Sequence, residues 1–501
     1  MLLELLILCA IMLWLYQRWS KRDVYTLAKE LNSKVLSLPI LGHSYLFLGD
    51  NANRMKALQT IGRDALNNDN GLSCMWLGSY LYTMVADPES AELILKTCLE
   101  KDDIVKMMTF VVGNGLIFAP VSIWRPRRKI LAQSFGMTGL KQFMSIFVKQ
   151  SRVLVELMKG ATGAGPVSAW NYFTAYTMDT IAATLGYELK SQSSSDQKFQ
   201  RTFDEGLADC AERILQPWLH SDLVYHNLPV YAKLVKDRVY LWDFVNKLIK
   251  TKRKEMNEET KSDKNQSNNR LKSIMELLIT SSGGDTGYTD DEVKEEALVV
   301  MIAGNDTTAV GASFISVMLS RYPEVQEKVY KELQEVFGDY DRTVTFEDLH
   351  QLKYLDAVIR ETLRLYPPVP IIARKVEKYV ELPSGIRLVP GTGVVVNIWA
   401  IHRNPRYWGV DAEQFRPERF LEPLTHPAAF IPFSHGPRNC VGYQFAMTSM
   451  KTLLSSLLRR YRILPATQPA SNSEHPPMKL KYDIMMKDED AYQILLEPRV
   501  K

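Results

Sequence analysis

Cysteine is scarce in this chain, five residues in 501, at positions 9, 74, 98, 210 and 440. No two of them form a Cys-x-x-Cys pair. That spacing argues against both a disulfide framework and a zinc site, and it suits a reducing compartment. The chain also lacks a glycine-rich phosphate loop and an internal repeat, so neither a nucleotide-binding fold nor a solenoid is supported. Charge is nearly balanced, with a formal net +4, which argues against nucleic-acid binding as the main function. Hydrophobic residues make up 46% of the chain, enough for a substantial core.

One long apolar run lies at the N-terminus, from Leu5 to Tyr16, followed by Gln17, Arg18, Trp19, Lys21 and Arg22. It has no basic residues before it and no small-residue cleavage site after it, so an uncleaved anchor is expected rather than a cleaved signal peptide. With Leu2, Leu3 and Trp19 the stretch approaches the roughly 20 residues that span a bilayer. A loosely packed apolar terminus and a shallow segment lying in the interface are the alternatives. The basic flank places the rest of the chain on the cytoplasmic side.

The expected organisation is an anchor at 1–22, a linker and lead-in segment at 23–50, and a single catalytic domain at 51–501. Leu36 to Phe47, with Pro39 and Gly42, should lie kinked against the globular body. Cys74 to Val85, interrupted by Gly78-Ser79, reads as a β-hairpin, and Asp87-Pro88 as a helix start with Asp as N-cap. Helices then dominate, with short alternating stretches near 380–396 and 478–497. The fold class is mainly α with small β-sheets (α+β). Thr251 to Asn269 has Met256 as its only apolar residue and reads as a solvated loop.

Three patterns carry chemistry. Cys440 sits in Phe433-Ser434-His435-Gly436-Pro437-Arg438-Asn439-Cys440-Val441-Gly442, just before a run with helical apolar spacing. A thiolate is favoured there by backbone N–H groups and the positive end of the helix dipole. Thr289-Asp290-Asp291-Glu292 is a capping box that opens a long apolar helix, interrupted by the polar run Ala303-Gly304-Asn305-Asp306-Thr307-Thr308. A threonine bonded to the carbonyl four residues back loosens a helix, and Ala303 and Thr307 share a face. An N-cap at Asp306, or plain polar surface, is the other reading of that run. Glu361-Thr362-Leu363-Arg364 places an acid and a base on one face, with Arg419 downstream in Phe415-Arg416-Pro417-Glu418-Arg419-Phe420. His402, beside Arg403, shows no metal-ligand spacing and is taken as structural.

Together these motifs resemble those of the cytochrome P-450 heme-thiolate monooxygenases. The resemblance runs from the N-terminus to at least Met447, with the motifs in the family's order. It implies the cytochrome P-450 fold and heme b, with Cys440 as its axial ligand. Phe433, Ala303, Trp124, Arg128, Arg374 and Arg438 would surround the heme, the tryptophan and arginines serving its propionates. Thr307 would hydrogen-bond dioxygen through ordered water, and Asp306 would feed protons from solvent. Glu361, Arg364 and Arg419 would form a buried structural network. Arg125, Arg127 and Lys129 could belong either to a positive docking face for an electron donor or to an ordinary solvated helix face.

The resemblance further implies an endoplasmic-reticulum membrane enzyme. Its electrons would come from NADPH through a flavoprotein reductase, with a small b-type cytochrome as an additional candidate donor. The Gly-Asn-Asp-Thr-Thr and Phe-Ser-His-Gly-Pro-Arg-Asn-Cys segments look like insect microsomal members allied to the fatty-acid hydroxylase branch, the family four clan. Many of those members carry a glutamate, esterified to heme, where this chain has Ala303, so noncovalent heme is expected. Substrate contacts are expected from Met107 to Phe118, Phe203 to Leu223, the helix before Ala303, and Val369 to Ile372, all apolar-rich. Fatty acids, pheromone-like aliphatics, terpenoids and plant or synthetic toxins all stay open as substrates. A reductase-independent heme-thiolate isomerase or dehydratase and a non-catalytic heme protein that binds lipophilic ligands are the competing readings; the intact Asp306-Thr307 pair argues against the first.

Overall fold

The computed structural model describes residues 18–499 except 195–197, 263–271, 282–287, 339–341 and 468–475; before residue 18 it describes only positions 4, 12 and 16. The expected anchor at 1–22 therefore lies mostly outside the described residues.

The principal helices, in chain order, are α1 (Asn51–Leu66), α2 (Pro88–Thr97), α3 (Val121–Ser134), α4 (Met137–Met158), α5 (Ala169–Thr184), α6 (Lys198–Leu215), α7 (Pro229–Ser262), α8 (Asp290–Arg321), α9 (Lys353–Leu365) and α10 (Tyr443–Leu458). The strands that matter here are β1 (Leu72–Leu77), β2 (Tyr80–Val85), β3 (Ile371–Lys375), β4 (Gly393–Asn397), β5 (Tyr461–Pro465), β6 (Leu480–Asp483), β7 (Met485–Asp488) and β8 (Gln493–Pro498). The mainly helical class is as expected, and so is the hairpin, β1 pairing with β2 from Leu72↔Val85 to Leu77↔Tyr80. The sheet continues in the order β1-β2-β4-β3, with β4 parallel to β2 and β3 antiparallel to β4. Asp87 caps α2, accepting from Ser90 N–H at 2.8 Å.

Helix α8 runs through the core. It starts at the expected capping box: Glu292 N–H donates to Thr289 Oγ1 at 3.3 Å and Thr289 N–H to Glu292 Oε2 at 2.7 Å. Asp290, Asp291 and Glu292 face the positive end of its dipole, and Arg321 lies in its last turn. From Leu298 to Leu319 it is almost entirely buried. Among the described residues it is the one helix long and apolar enough to cross a membrane, and neighbouring protein covers it instead. Gly304 lets α5 cross closely, since a Cβ there would lie 2.6 Å from Ile181 Cδ1.

Two expectations need correcting. Residues 251–262 are not loop but the end of α7. Their Lys, Glu and Met residues are good helix formers, and Lys254 and Glu258 pair one turn apart at 3.9 Å, so high polarity marked a solvated helix. The remainder of that stretch, 263–269, lies outside the described residues. The polar run 303–308 does not interrupt α8, although Thr307 Oγ1 does donate to Ala303 O at 2.7 Å.

Candidate active site

A cavity of about 400 Å³ lies between α8, α3, β3, the Cys440 loop and the β6–β7 turn. Its walls are mostly apolar, and Ala303, Thr307, Trp124, Arg128, Phe433, Arg438 and Cys440 all line it.

The loop before α10 is fixed by its own backbone. Cys440 N–H donates to Phe433 O at 2.9 Å, and Ser434 N–H to Ile431 O at 2.9 Å. Gly436, at φ +72°, packs so tightly that a Cβ would lie 2.5 Å from Leu95 O. Helix α10 opens at Tyr443 with Gly442 as N-cap, so Cys440 stands just ahead of it, as expected. Burial by protein pushes the Cys440 thiol up, against the opposing pull of Gly442 N–H and Arg128. The expected depression by the helix terminus is thus outweighed. The accessible surface of Cys440 faces the cavity, where a bound metal would deprotonate the thiol outright.

Arg128 braces this loop, donating through Nη1 to Asn439 O at 2.6 Å and through Nη2 to Asn439 Oδ1 at 2.7 Å. Arg438 donates to Leu99 O at 2.8 Å and Ala119 O at 2.6 Å, with its guanidinium over the Trp124 ring at 4.9 Å. Its Nε is buried without a partner. Arg374 is also buried, with Nη1 on Ala373 O at 3.0 Å and an orphaned Nε. Burial lowers both guanidinium pKa values to about 10. Lys101 joins them. Burial, with Arg374 and Arg438 beside it, pushes its pKa well down. Nothing in the sequence distinguished Lys101 from a solvated lysine beside Asp102 and Asp103.

Arg127 leaves the expected basic face. It is buried, its Nη1 lying 3.2 Å from Glu296 Oε1 and its Nη2 paired with Glu292. Helix geometry turns consecutive residues by about 100°, so Arg127 faces α8 while Arg128 faces Cys440.

Asp306 lies behind the cavity wall, fully buried, with Lys487 Nζ 3.3 Å away. Lys487 also meets Asp204 at 3.0 Å, and the Asp204 side chain is 27% exposed. Solvent therefore reaches Asp306 through an intermediary. Burial pushes its carboxyl up, while Lys487 pulls it down. Thr307 lies on the cavity side of the same helix.

The Glu361 network is present. Arg364 is bidentate on Glu361 at 2.7 and 2.8 Å, and Arg419 Nε lies 3.5 Å from Glu361 Oε1. His402 is structural, as expected: its Nε2 accepts from Ile431 N–H at 2.9 Å, so Nδ1 carries the proton toward Arg364 O at 3.0 Å. Burial lowers its pKa to about 3.

The cytochrome P450 family model matches residues 66–493. The chain belongs to the cytochrome P450 family. Among its relatives, human cytochrome P450 4V2 is 32% identical over 496 residues, covering 96% of this chain and 91% of that protein. Cytochrome P450 4d2 of Drosophila melanogaster is 31% identical over 440 residues, 85% of this chain and 86% of that protein. Cytochrome P450 4g15 of the same fly is 27% identical over 567 residues, covering 99% and 96%. These matches place the chain in the family 4 branch.

This cytochrome P450 is a heme-thiolate monooxygenase with heme b as cofactor. The site fits that cofactor. Lys101, Arg374 and Arg438 bring positive charge together, two of them with an orphaned donor, as a dianionic porphyrin requires.

Proposed function

We propose that this P450 inserts one oxygen atom into a C–H bond of a lipophilic small molecule at the endoplasmic-reticulum membrane, drawing NADPH electrons through a flavoprotein reductase. Bound heme supplies dioxygen activation and oxygen transfer. The protein supplies placement, dryness and protons. Cys440 would be the axial ligand; Trp124, Arg374, Arg438 and Lys101 would hold the propionates; Arg128, through Asn439, would hold the loop in register; and Phe433 and Ala303 would border the ring. Proton supply is assigned to Asp306, recharged along Lys487 and Asp204, with Thr307 Oγ1 accepting and passing protons on the cavity side.

The observation that carries this reading is α8 itself, which presents Thr307 to the same chamber as Cys440 while holding Asp306 on a path toward solvent. A peroxide isomerase needs no such relay. The apolar chamber lining supports a lipophilic substrate. Membrane attachment through residues 1–22, ahead of a catalytic unit at 51–501, is supported by a cluster of exposed apolar side chains: Ile40 is 93% exposed and Tyr80 and Trp218 are partly so. They are neighbours, because Gly78 N–H donates to Leu41 O at 3.3 Å and a Cβ on Gly78 would touch Pro217 at 3.3 Å. Reconstitution with reductase and a lipophile panel tests the whole reading. Substrate-dependent NADPH and dioxygen consumption with an oxygenated product is expected. Turnover of peroxides without reductase, or binding without consumption, would overturn it.

A further inference from the structure

The β6–β7 hairpin reaches into the chamber at its turn. Ile484, a β-branched residue, sits at φ +64° between Asp483 and Met485, which pair across the turn. Such a conformation persists only where surrounding structure imposes it. Here Met486 N–H bonds Pro368 O at 2.8 Å, and Asp483 is tied to Asn51 on α1. The turn places Tyr482, Ile484 and Met485 against the cavity.

Tyr482 is buried from bulk solvent, and its hydroxyl bonds no protein group among the described residues. Burial and the adjacent Asp483 push its phenol upward, so it keeps its proton. Of the other polar groups on the wall, Tyr82 donates to Asp102 at 3.0 Å and Thr307 to Ala303, Arg128 and Arg438 flank Cys440, and Thr308 lies beside Thr307 on α8, not on the hairpin turn. Behind the hairpin stand Asp204, Asp306 and Asp483, and nearby cations are already paired, Lys487 with Asp204 and Asp306, Arg54 with Glu212 at 3.4 Å. Lys481, next to Tyr482, lies 4.0 Å from Asp483, so an anion near Tyr482 would face carboxylates and, among the described residues, cations already paired.

We propose that Tyr482 is a specificity-determining residue whose phenol donates a hydrogen bond to an uncharged oxygen of the substrate, and that the substrate is a neutral lipophile bearing a carbonyl, ester, ether or hydroxyl oxygen rather than a free carboxylate. This rests on the lipophilic-substrate reading above and narrows it. The test is calorimetric binding to the purified holoenzyme, at mildly alkaline pH, of a saturated fatty acid, its methyl ester and the alkane of equal carbon number. The ester is expected to bind roughly three- to tenfold more tightly than the alkane, the gain of one hydrogen bond, and more tightly than the acid. Tyr482→Phe should erase the ester's advantage over the alkane while leaving the alkane's affinity and the thiolate-type carbon-monoxide spectrum in place. An acid that binds as tightly as the ester, or an ester preference that survives in Tyr482→Phe, overturns the proposal. If none of the three binds while the spectrum is intact, the proposal falls; the lipophilic-substrate reading falls only if the whole lipophile panel also fails to bind.

Discussion

Glu361→Gln tests the support beneath the Cys440 loop. Glu361 and Arg364 are both fully buried, and Glu361 also accepts from Arg416 N–H at 2.8 Å and faces Arg419. The amide keeps the shape but leaves the Arg364 guanidinium without its counter-charge, while Arg419 keeps Asp411 at 2.7 Å. Removing one partner of a buried pair costs about 3–5 kcal/mol, a large part of the roughly 5–15 kcal/mol that holds a domain folded. Heat produces about 2–4 °C of shift per kcal/mol in domains of 150–250 residues and less in larger ones, so a fall on the order of 5 °C is expected. The assay is loss of the thiolate-type carbon-monoxide band on heating, at one fixed scan rate because large proteins unfold irreversibly. That band reports the right place: Arg364 O receives His402, and His402 holds Ile431 at the head of the loop. Many buried pairs can be exchanged for apolar residues at little loss, but this one should not be. Arg364 also satisfies the carbonyls of His402, Ala412 and Gln414 at 2.7, 2.6 and 3.0 Å. In Glu361→Leu/Arg364→Met those carbonyls would be stranded at about 1–3 kcal/mol each. A double variant that melts with the wild type would refute the assignment.

Further outcomes follow from the same geometry. Cys440→Ala should abolish the thiolate-type band of the reduced carbon-monoxide complex; a retained band would place the ligand elsewhere. Thr307→Ala should divert reducing equivalents to peroxide, and unchanged coupling of NADPH to product would remove its role. Acid–acetone extraction should strip the porphyrin completely, because Ala303 offers no carboxylate for an ester; colour left on the polypeptide would contradict this. Burial raises Glu296 to about 7, so the folded protein keeps a proton that the unfolded chain releases near its ordinary value of 4.5. Stability tied to this group therefore falls as pH rises from about 4.5 through 7, by on the order of 3 kcal/mol. Glu296→Gln should flatten that stretch of the melting-temperature profile, and an unchanged profile would refute it.

The parts of the site legible in the sequence are those whose partners are close along the chain. The Cys440 loop closes on itself from Phe433 to Gly442, and Glu361 and Arg364 lie three apart on one helix. Trp124 and Arg128 were named through the family resemblance, and Arg128 is engaged by Asn439. What escaped were contacts made across the chain. Lys487 meets Asp306 although 181 positions separate them, and neither residue carries a local mark of the other. Lys101 reads as a solvated charge until Arg374 and Arg438 fold over it. Arg127 and Arg128 look alike in sequence, and only the rotation of α3 sends one to α8 and the other to Cys440. Strands β3 and β5 were likewise unmarked, since their pairing partners lie elsewhere in the chain.

The β6–β7 hairpin turns Tyr482 and Ile484 toward the ligand and, a few residues later, Lys487 toward Asp306. With the roles proposed above, selectivity and fuel economy would share one short genetic target. A lineage that remodelled this turn to accept new molecules would also disturb the neighbourhood of its buried acid, so a change of substrate written here would arrive together with wasted reductant, until second-site changes around Asp204 restored thrift.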